Sequence, residues 1–302
     1  MFDYTNDCPI FVPEASVDSY KSASGWSDYA DRIRAPRLTY IRYTSSDGQI
    51  VEPYSPQNFG ANIVSNEYMN GQGVITLDGL VTVFGGAEFK DCTTLTSIQI
   101  PESVVRIEGS AFVYCTSLES VSLPEGLTYL GGGSFLNCSS LKTLSIPDGV
   151  TAIEYHTFRG CSSLESISIP DHVTTIGQNA FADCSSLAFV SIPNSVTSLS
   201  WGAFENCTSL TSVTIPENVR EMNYAFHGCT ELKSVTMLPY YPPTAIGAFG
   251  YEEDGSLNED LIIYVPEGRA DAYKSAFYWS DLADHIFEID KPTAVDMGLS
   301  VK

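Results

Sequence analysis

A spacing of 23 residues runs through most of this sequence. Each unit follows the pattern A-F-x-x-C-x-S-L-x-S-I-x-I-P-x-x-V-T-x-I-G, in which phenylalanine, cysteine, leucine and proline keep fixed positions. The register is set by Cys92, Cys115, Cys138, Cys161, Cys184, Cys207 and Cys229, and only the last step is shortened, to 22 residues. A fixed period of this length indicates a solenoid, because so short a unit cannot bury its apolar side chains unless neighbouring units stack on it.

Each unit is predicted to contain one short strand. In the unit of Cys115, the side chains of Leu118, Val121 and Leu123 match the L-x-x-L-x-L core of a leucine-rich repeat. The proline that follows has no amide hydrogen to continue a ladder, so it turns the chain, and V-T-x-I-G returns along the back. We therefore predict a leucine-rich-repeat solenoid with a parallel β-sheet on its concave face and an irregular or short helical convex side.

An incomplete unit precedes the regular ones. Ile75 and Leu77 occupy its strand positions, and Asp78 stands where the other units have proline. With this unit included, eight strands about 4.8 Å apart would form a parallel sheet roughly 35 to 40 Å long.

The two ends of the sequence share a different repeat. Residues 11–33 read FVPEASVDSYKSASGWSDYADRI, and residues 264–286 read YVPEGRADAYKSAFYWSDLADHI. Each copy predicts a short amphipathic helix, with Tyr20 and Trp26 as buried anchors in the first. The C-terminal copy is expected to cover the open edge of the solenoid. The N-terminal copy is expected to end a preceding array that this chain does not contain.

These features predict five segments. The chain would begin with a cap segment at 1–35, followed by a β-hairpin cap at 36–73, the solenoid at 74–250, a C-terminal cap at 251–290, and a linker at 291–302 that leads into a truncated following module. The hairpin is predicted at Asp47-Gly48, a favourable two-residue turn between the apolar runs 38–43 and 49–51.

The repeat unit resembles the BspA-like class of leucine-rich repeats, which is common in secreted and surface proteins of Bacteroidetes from the gut and mouth. The resemblance covers 75–249, and the segment C-P-I-F-V-P-E-A-S-V-D-S-Y-K is similar to the tail that closes such arrays. It implies a segment of a longer multidomain protein, adhesion to host proteins or other bacteria, and no catalytic residues.

The net charge disfavours some classes of partner, and the location of the protein is inferred from other features. The chain has 37 acidic and 15 basic residues, for a net charge of -22, so nucleic acid and anionic membranes are poor partners. No run of 18 apolar residues occurs that would insert into a membrane. The N-terminus lacks the pattern of a signal peptide, so either the protein is cytoplasmic or its leader lies outside this chain. The resemblance to secreted and surface proteins implies the second, an extracellular or cell-surface protein.

The cysteines invite two chemical interpretations, disulfide formation and metal binding. The seven ladder cysteines share one position per turn, have parallel Cβ directions and include no C-x-x-C. None has a distinct partner, so we predict buried free thiols and neither a metal site nor a cofactor. Cys8 stands outside the ladder.

Three surfaces are candidates for binding. The concave face carries a row of small hydroxyl residues broken by one aromatic residue, Phe189, which stands among Ser166, Ser168, Ser191, Ser212 and Thr214. An acidic rim follows the strand prolines and comprises Glu102, Glu125, Asp148, Asp171 and Glu217. These acids are either solvated turn residues or a strip for a basic partner or divalent cations. A convex patch would align Tyr155, Gln178 and Trp201 in successive turns, with the two aromatic side chains about 10 Å apart.

The sequence therefore predicts a non-enzymatic surface adhesion module that recognises a protein, either of the host extracellular matrix or of a bacterial surface. The alternative is a carbohydrate-binding or purely structural spacer segment. Sugar binding would require two or more exposed aromatic side chains on one face, and the concave face offers one.

Overall fold

The computed structural model describes residues 10–12, 14–34, 37–250 and 258–289. It confirms the predicted solenoid of stacked, parallel, leucine-rich turns. Cys8 and the predicted linker at 291–302 lie outside the described residues.

One side of the solenoid carries a row of short strands, which we call the strand row. Paired strands of successive turns are parallel, as where Ser97 pairs with Ser120 and Ser212 with Ser234. The row consists of β7 (Leu95–Gln99), β9 (Ser120–Ser122), β11 (Thr143–Ser145), β13 (Ser166–Ser168), β16 (Ser212–Ile215), β17 (Ser234–Met237), β18 (Ile262–Val265) and β19 (Ile286–Glu288). Its outward side is called the strand face below.

The returning V-T-x-I-G segments form a second parallel row, which the repeat pattern had suggested only as an irregular or helical side. This back row consists of β6 (Val83–Phe84), β8 (Arg106–Ile107), β10 (Tyr129–Leu130), β12 (Ala152–Ile153), β14 (Thr175–Ile176) and β15 (Ser198–Leu199). Each strand has two residues and buries its second side chain, so the row closes the core from behind.

The strand row is not one continuous sheet. Within the described residues, hydrogen-bonded pairing stops between β9 and β11 and again on both sides of 187–192, which forms no strand. The prediction of one continuous sheet of eight evenly spaced strands is therefore wrong, although the 23-residue register persists through the interruptions.

The turn that contains F-x-x-C holds the register throughout. The N–H of Phe135 donates to Thr157 O in the next turn at 2.9 Å, and every phenylalanine from Phe89 to Phe226 makes the same bond at 2.8 to 2.9 Å. The Phe135 carbonyl accepts the Cys138 N–H at 3.1 Å and the Cys161 thiol of the next turn at 3.2 Å. Cysteine thus serves as a small apolar side chain that also donates to the neighbouring turn.

The phenylalanine rings form one stacked column through the core. From Phe89 to Phe226, successive ring centroids lie 5.1 to 5.6 Å apart with interplanar angles of at most 10°. An edge-to-face ring ends the column on each side, Phe59 against Phe89 at one end and Trp279 against Phe249 at the other. The column is therefore closed by both caps.

Each turn also needs left-handed backbone just before its cysteine. Asn137 and Asn206 have φ of 60° and 58°, and Gly160 and Gly228 occupy the same position with φ of 74°. Asparagine, aspartate and glycine tolerate this conformation best and fill the position in all these turns except one, where Tyr114 adopts it with φ of 61°.

The N-terminal cap differs from the predicted hairpin. Its strands are β3 (Thr39–Ser45), β4 (Ile63–Met69) and β5 (Gln72–Leu77), with a 3-10 helix at Pro56–Phe59. The Asp47 carboxylate accepts the Gln49 N–H at 3.0 Å, and the Val51 N–H donates to the Tyr43 hydroxyl at 3.2 Å. This turn directs Val51 into the core, so 49–51 does not return along β3.

The hairpin instead joins β4 to β5 through Asn70 and Gly71, both of which have positive φ. β5 pairs antiparallel with β3, and β3 pairs antiparallel with β7. Ile75 and Leu77 are buried as expected, but their strand belongs to the cap and not to the parallel row. The predicted boundary at residue 74 therefore falls inside a cap strand.

Two short segments of similar build complete the described chain. The C-terminal cap contains β18, α2 (Ala270–Lys274), a 3-10 helix at Ser280–His285, and β19. The N-terminal segment contains β1 (Ile10–Phe11), a 3-10 turn at Glu14–Ser16, α1 (Val17–Ser22), a 3-10 helix at Ser27–Arg32, and β2 (Ile33–Arg34).

Removing one ring from the middle of the phenylalanine column should be costly. Phe158 is fully buried between Phe135 and Phe181, so Phe158→Ala should lower the free energy of unfolding by about 3 to 5 kcal/mol. Urea titration followed by circular dichroism measures this loss. Phe189→Ala is the matched control: its ring is 62% exposed, and the expected change is below about 0.5 kcal/mol. Equal effects of the two substitutions would contradict the column.

The ladder thiols should be reduced and unreactive in the folded chain. Burial raises the pKa of the Cys92 thiol to about 11 and that of Cys161 well above its ordinary value, so few thiolates form near pH 8. A thiol reagent should therefore react slowly with the native chain and titrate at least the seven ladder thiols in guanidinium without reductant. Recovery of disulfides among these seven would show that the ladder is not a thiol ladder.

Candidate functional site

The strand face exposes a row of hydroxyl groups around one aromatic ring. The hydroxyl residues are Ser166, Ser168, Ser191, Ser212 and Thr214, all of which are exposed. Within the described residues, none of these five hydroxyl groups has a hydrogen-bond partner in the protein. The row is therefore fully available to solvent or to a binding partner.

Phe189 lies in the interruption of the strand row. Its ring is 62% exposed, and 187–192 pairs with neither β13 nor β16. In the described part of the chain, the backbone N–H and C=O groups of 188–192 make no hydrogen bond to other residues. An exposed aromatic side chain thus stands beside backbone donors and acceptors that the fold leaves unused.

The acidic rim is produced by one recurring turn. The Val150 N–H donates to Pro147 O at 3.0 Å, and the same four-residue turn recurs in the other units. It places an exposed acid directly after the proline in five units, at Glu102, Glu125, Asp148, Asp171 and Glu217. No ion pair involves these five carboxylates among the described residues. The turn explains their alignment, and no cation of the described chain neutralises them.

Two of the grooves on the strand face of the described residues were not predicted from the sequence. One, of about 410 Å³, lies at the interruption between β9 and β11 and is bounded by Glu125 and Asp148, with Ser122 and Ser145 in its wall. The other, of about 360 Å³, lies where β3 of the cap meets β7 and includes Arg42 in its lining. Both depend on strand spacing and cap topology, which a repeat pattern does not encode.

The predicted convex patch separates into two parts. Tyr155, Gln178 and Trp201 are all exposed. A Cβ added at Gly132 would lie 2.6 Å from the Tyr155 ring, so this ring covers the turn before it. The Trp201 ring instead stacks on Tyr224 in the turn after it, at 4.2 Å between centroids. The two predicted aromatic side chains therefore contact opposite neighbours.

Trp201 belongs to a group of neighbouring polar and aromatic side chains. Asn179 donates through Nδ2 to Glu205 Oε2 at 3.0 Å, and Glu205 Oε1 lies 4.0 Å from His227 Nδ1. That histidine nitrogen is buried and has no hydrogen-bond partner among the described residues. We call Asn179, Trp201, Glu205, Tyr224 and His227 the back cluster. Tyr224 was missed, although it follows Trp201 by the same 23-residue step that separates Gln178 from Trp201.

The described residues contain no group of three or more histidine, cysteine, aspartate or glutamate side chains arranged to hold a metal ion. No described helix is long and apolar enough to cross a membrane.

Comparison with known proteins identifies the repeat. The sequence model of the BspA type leucine rich repeat region matches in six copies, over 82–200 and 151–283. These ranges together cover more than half of the chain. No curated protein matches the sequence.

Several solved structures resemble the chain. A leucine rich repeat protein of T. pallidum is 31% identical and aligns over 56% of this chain and 69% of its own, with a TM-score of 0.41. A leucine-rich repeat protein of Bacteroides ovatus is 22% identical over 68% of this chain and 63% of its own, with a TM-score of 0.42. A leucine rich cell surface protein of Faecalibacterium prausnitzii is 24% identical over 61% of this chain and 64% of its own, with a TM-score of 0.39. The chain thus spans less than two thirds of the last two proteins.

Proposed function

The chain belongs to the BspA-type leucine-rich repeat family, and from this premise we propose that it is a non-enzymatic binding module of the cell surface or extracellular space. Its partner is a protein, either of the host extracellular matrix or of another bacterial surface. The location and the kind of partner follow the expectation from the family resemblance.

The exposed Phe189 ring carries the proposal. Interaction hot spots favour an aromatic side chain surrounded by contacts that exclude water. Ser166, Ser212 and the other small residues around Phe189 permit close approach, and their free hydroxyl groups can bond to a partner. The unused backbone groups of 188–192 add further donors and acceptors at the same place.

Electrostatics define the chemistry of the partner. The rim carboxylates lie along one edge of the strand face without neutralising cations in the described chain, and the whole chain has a net charge of -22. A basic protein surface would be steered to this edge, and its affinity would fall as salt screens the attraction. Glu125 and Asp148, on the two sides of their groove, are suited to receive a lysine or arginine side chain.

The non-enzymatic assignment rests on the chemistry of the exposed groups. Within the described residues, the five hydroxyl groups around Phe189 have no hydrogen bond to a histidine or carboxylate side chain, and the ladder thiols are buried, with raised pKa values from Cys92 to Cys207. Nucleophilic catalysis needs an activated and accessible group, so binding is the function that this surface supports.

A second candidate function is carbohydrate binding at the back cluster. Trp201 is 50% exposed and stacks on Tyr224. Glu205 and Asn179 place polar groups beside Gly202, the residue that follows Trp201. An aromatic face beside carboxylate and amide groups suits a sugar ring, whose apolar face stacks while its hydroxyl groups form hydrogen bonds.

The two surfaces can be distinguished with one pair of variants. The chain is first screened against immobilised extracellular-matrix proteins and a glycan array, and every hit is measured again with Phe189→Ser and Trp201→Ser. For a protein ligand, Phe189→Ser should weaken binding by about 30-fold or more, as for a hot-spot aromatic residue. Trp201→Ser should leave that affinity within about twofold, and raised salt should weaken it.

Other outcomes assign the function differently. Loss of a glycan hit with Trp201→Ser alone would move the site to the back cluster. Unchanged binding by both variants would remove both surfaces and favour a spacer role. Thermal melts of the variants exclude misfolding as the cause of any loss.

A further inference from the structure

The N-terminal segment repeats the C-terminal cap in three dimensions as well as in sequence. Ile10 pairs in parallel with Ile33, and Ile263 pairs in the same way with Ile286. In both segments the first strand leads to a one-turn α-helix, then to a 3-10 helix and the second strand. The two strand pairs share one register, at a constant offset of 253 residues.

The turn before each tryptophan has the same local geometry. Trp26 N–H donates to Ala23 O at 3.1 Å, and Trp279 N–H donates to Ala276 O at 3.0 Å. The residue before each tryptophan is left-handed, with φ of 85° at Gly25 and 70° at its C-terminal counterpart. The segment is therefore built as a cap.

Both segments also hold the same aromatic pair. Tyr20 and Trp26 are T-shaped, with ring centroids 5.4 Å apart and an interplanar angle of 82°. Tyr273 and Trp279 are T-shaped at 4.9 Å and 85°. The surface that contacts the solenoid in one segment is thus reproduced in the other.

The C-terminal cap shows what covers this aromatic pair. Tyr273 and Trp279 are both fully buried. The Tyr273 hydroxyl donates to Pro239 O at 2.7 Å, and Trp279 Nε1–H donates to Pro243 O at 2.8 Å. The indole also packs edge-on against Phe249, the last ring of the column, at 6.1 Å. One phenylalanine ring and two backbone carbonyls receive the pair.

The N-terminal pair has no such cover. The prediction that Tyr20 and Trp26 are buried anchors is not met within this chain: Tyr20 is 37% exposed, Trp26 is only half-buried, and α1 has no buried residue. Within the described chain, neither the Tyr20 hydroxyl nor the Trp26 indole N–H has a hydrogen-bond partner. An aromatic face with two unused donors is left open on a fully formed cap.

We propose that the Tyr20–Trp26 face docks on the open end of a leucine-rich solenoid of this same repeat type. The last turn of that solenoid supplies a phenylalanine ring against Trp26 and two backbone carbonyls for the two donors, as the turns up to Phe249 do for the C-terminal cap. This partner matches both the apolar face and the two donors, which a general apolar surface does not.

Differences between the two caps define how the partner end differs from this chain's own. Arg269 donates to Tyr240 O at 2.8 Å, and its guanidinium lies 4.0 Å from the Tyr240 ring centroid. Ser16 stands at the matching position of the N-terminal segment, so its partner turn does not need the exposed tyrosine.

A cap exchange within the full chain tests the proposal. Residues 262–289 are replaced by a second copy of 9–36, which keeps the strand register. The chimera should remain monomeric and cooperative, with a Tm within about 10 °C of the parent. Adding Trp26→Ala within the inserted copy alone should lower the Tm by about 10 °C more. If the chimera fails to fold, Ser16→Arg in the inserted copy supplies the missing guanidinium. Failure of both chimeras, or equal melting with and without Trp26→Ala, would overturn the proposal.

Point variants of the unaltered chain give an independent measurement. Trp279→Ala should lower the Tm by about 10 °C, whereas Trp26→Ala should change it by less than about 1 °C, because only the first indole is covered in this chain. Equal losses would show that Trp26 is already docked within this chain and would overturn the proposal. A dimer in size-exclusion chromatography that Trp26→Ala dissociates would identify a second copy as the occupant and would also overturn it.

Discussion

The F-x-x-C turn is the interaction on which the rest of this structure depends. One phenylalanine carbonyl accepts the amide of its own turn and the thiol of the next, while its ring stacks on both neighbouring rings. Because these bonds continue where the strand row is interrupted, the turns keep their register without a continuous sheet. The solenoid therefore does not depend on strand pairing at every turn. Outward side chains of the strand face, and some of its backbone groups, are left available for binding.

The fold was predictable because stacking converts sequence period directly into structure. The positions of Phe158 and Cys161 within the unit were sufficient to infer a buried column and free thiols. The N-terminal cap was not predictable in this way, because it does not repeat. Asp47-Gly48 has the composition of a hairpin turn, but the buried side chain of Val51 and its bond to Tyr43 decide where the chain goes. That contact joins residues whose relation no periodicity expresses.

The candidate sites were predictable to the same extent. A fixed register shows which side chains point outward, so the exposure of Phe189 and of Asp148 followed from their place in the unit. The register does not show how neighbouring turns lean or separate. The Trp201–Tyr224 stack joins side chains of two successive turns, and the groove beside Asp148 lies where the pairing of β9 with β11 is interrupted. Both are properties of pairs of turns, and a single unit carries no information on them.

Function in such a molecule is concentrated where the repeat departs from its own rule. A stacked array of identical turns presents the same side chains in every turn, so a partner would bind each turn equally well. Phe189 breaks the row of small hydroxyl residues, and the back cluster lies beside the shortened turn. The caps are departures of the same kind, since each presents a face that only the end of a solenoid can cover. Trp279 is covered by such an end and Trp26 is not. One cap is therefore docked on a solenoid end, and the structurally equivalent second cap has an uncovered aromatic face. The proposed lateral recognition through Phe189 and the proposed end-on recognition through Trp26 therefore use separate surfaces, so one does not exclude the other.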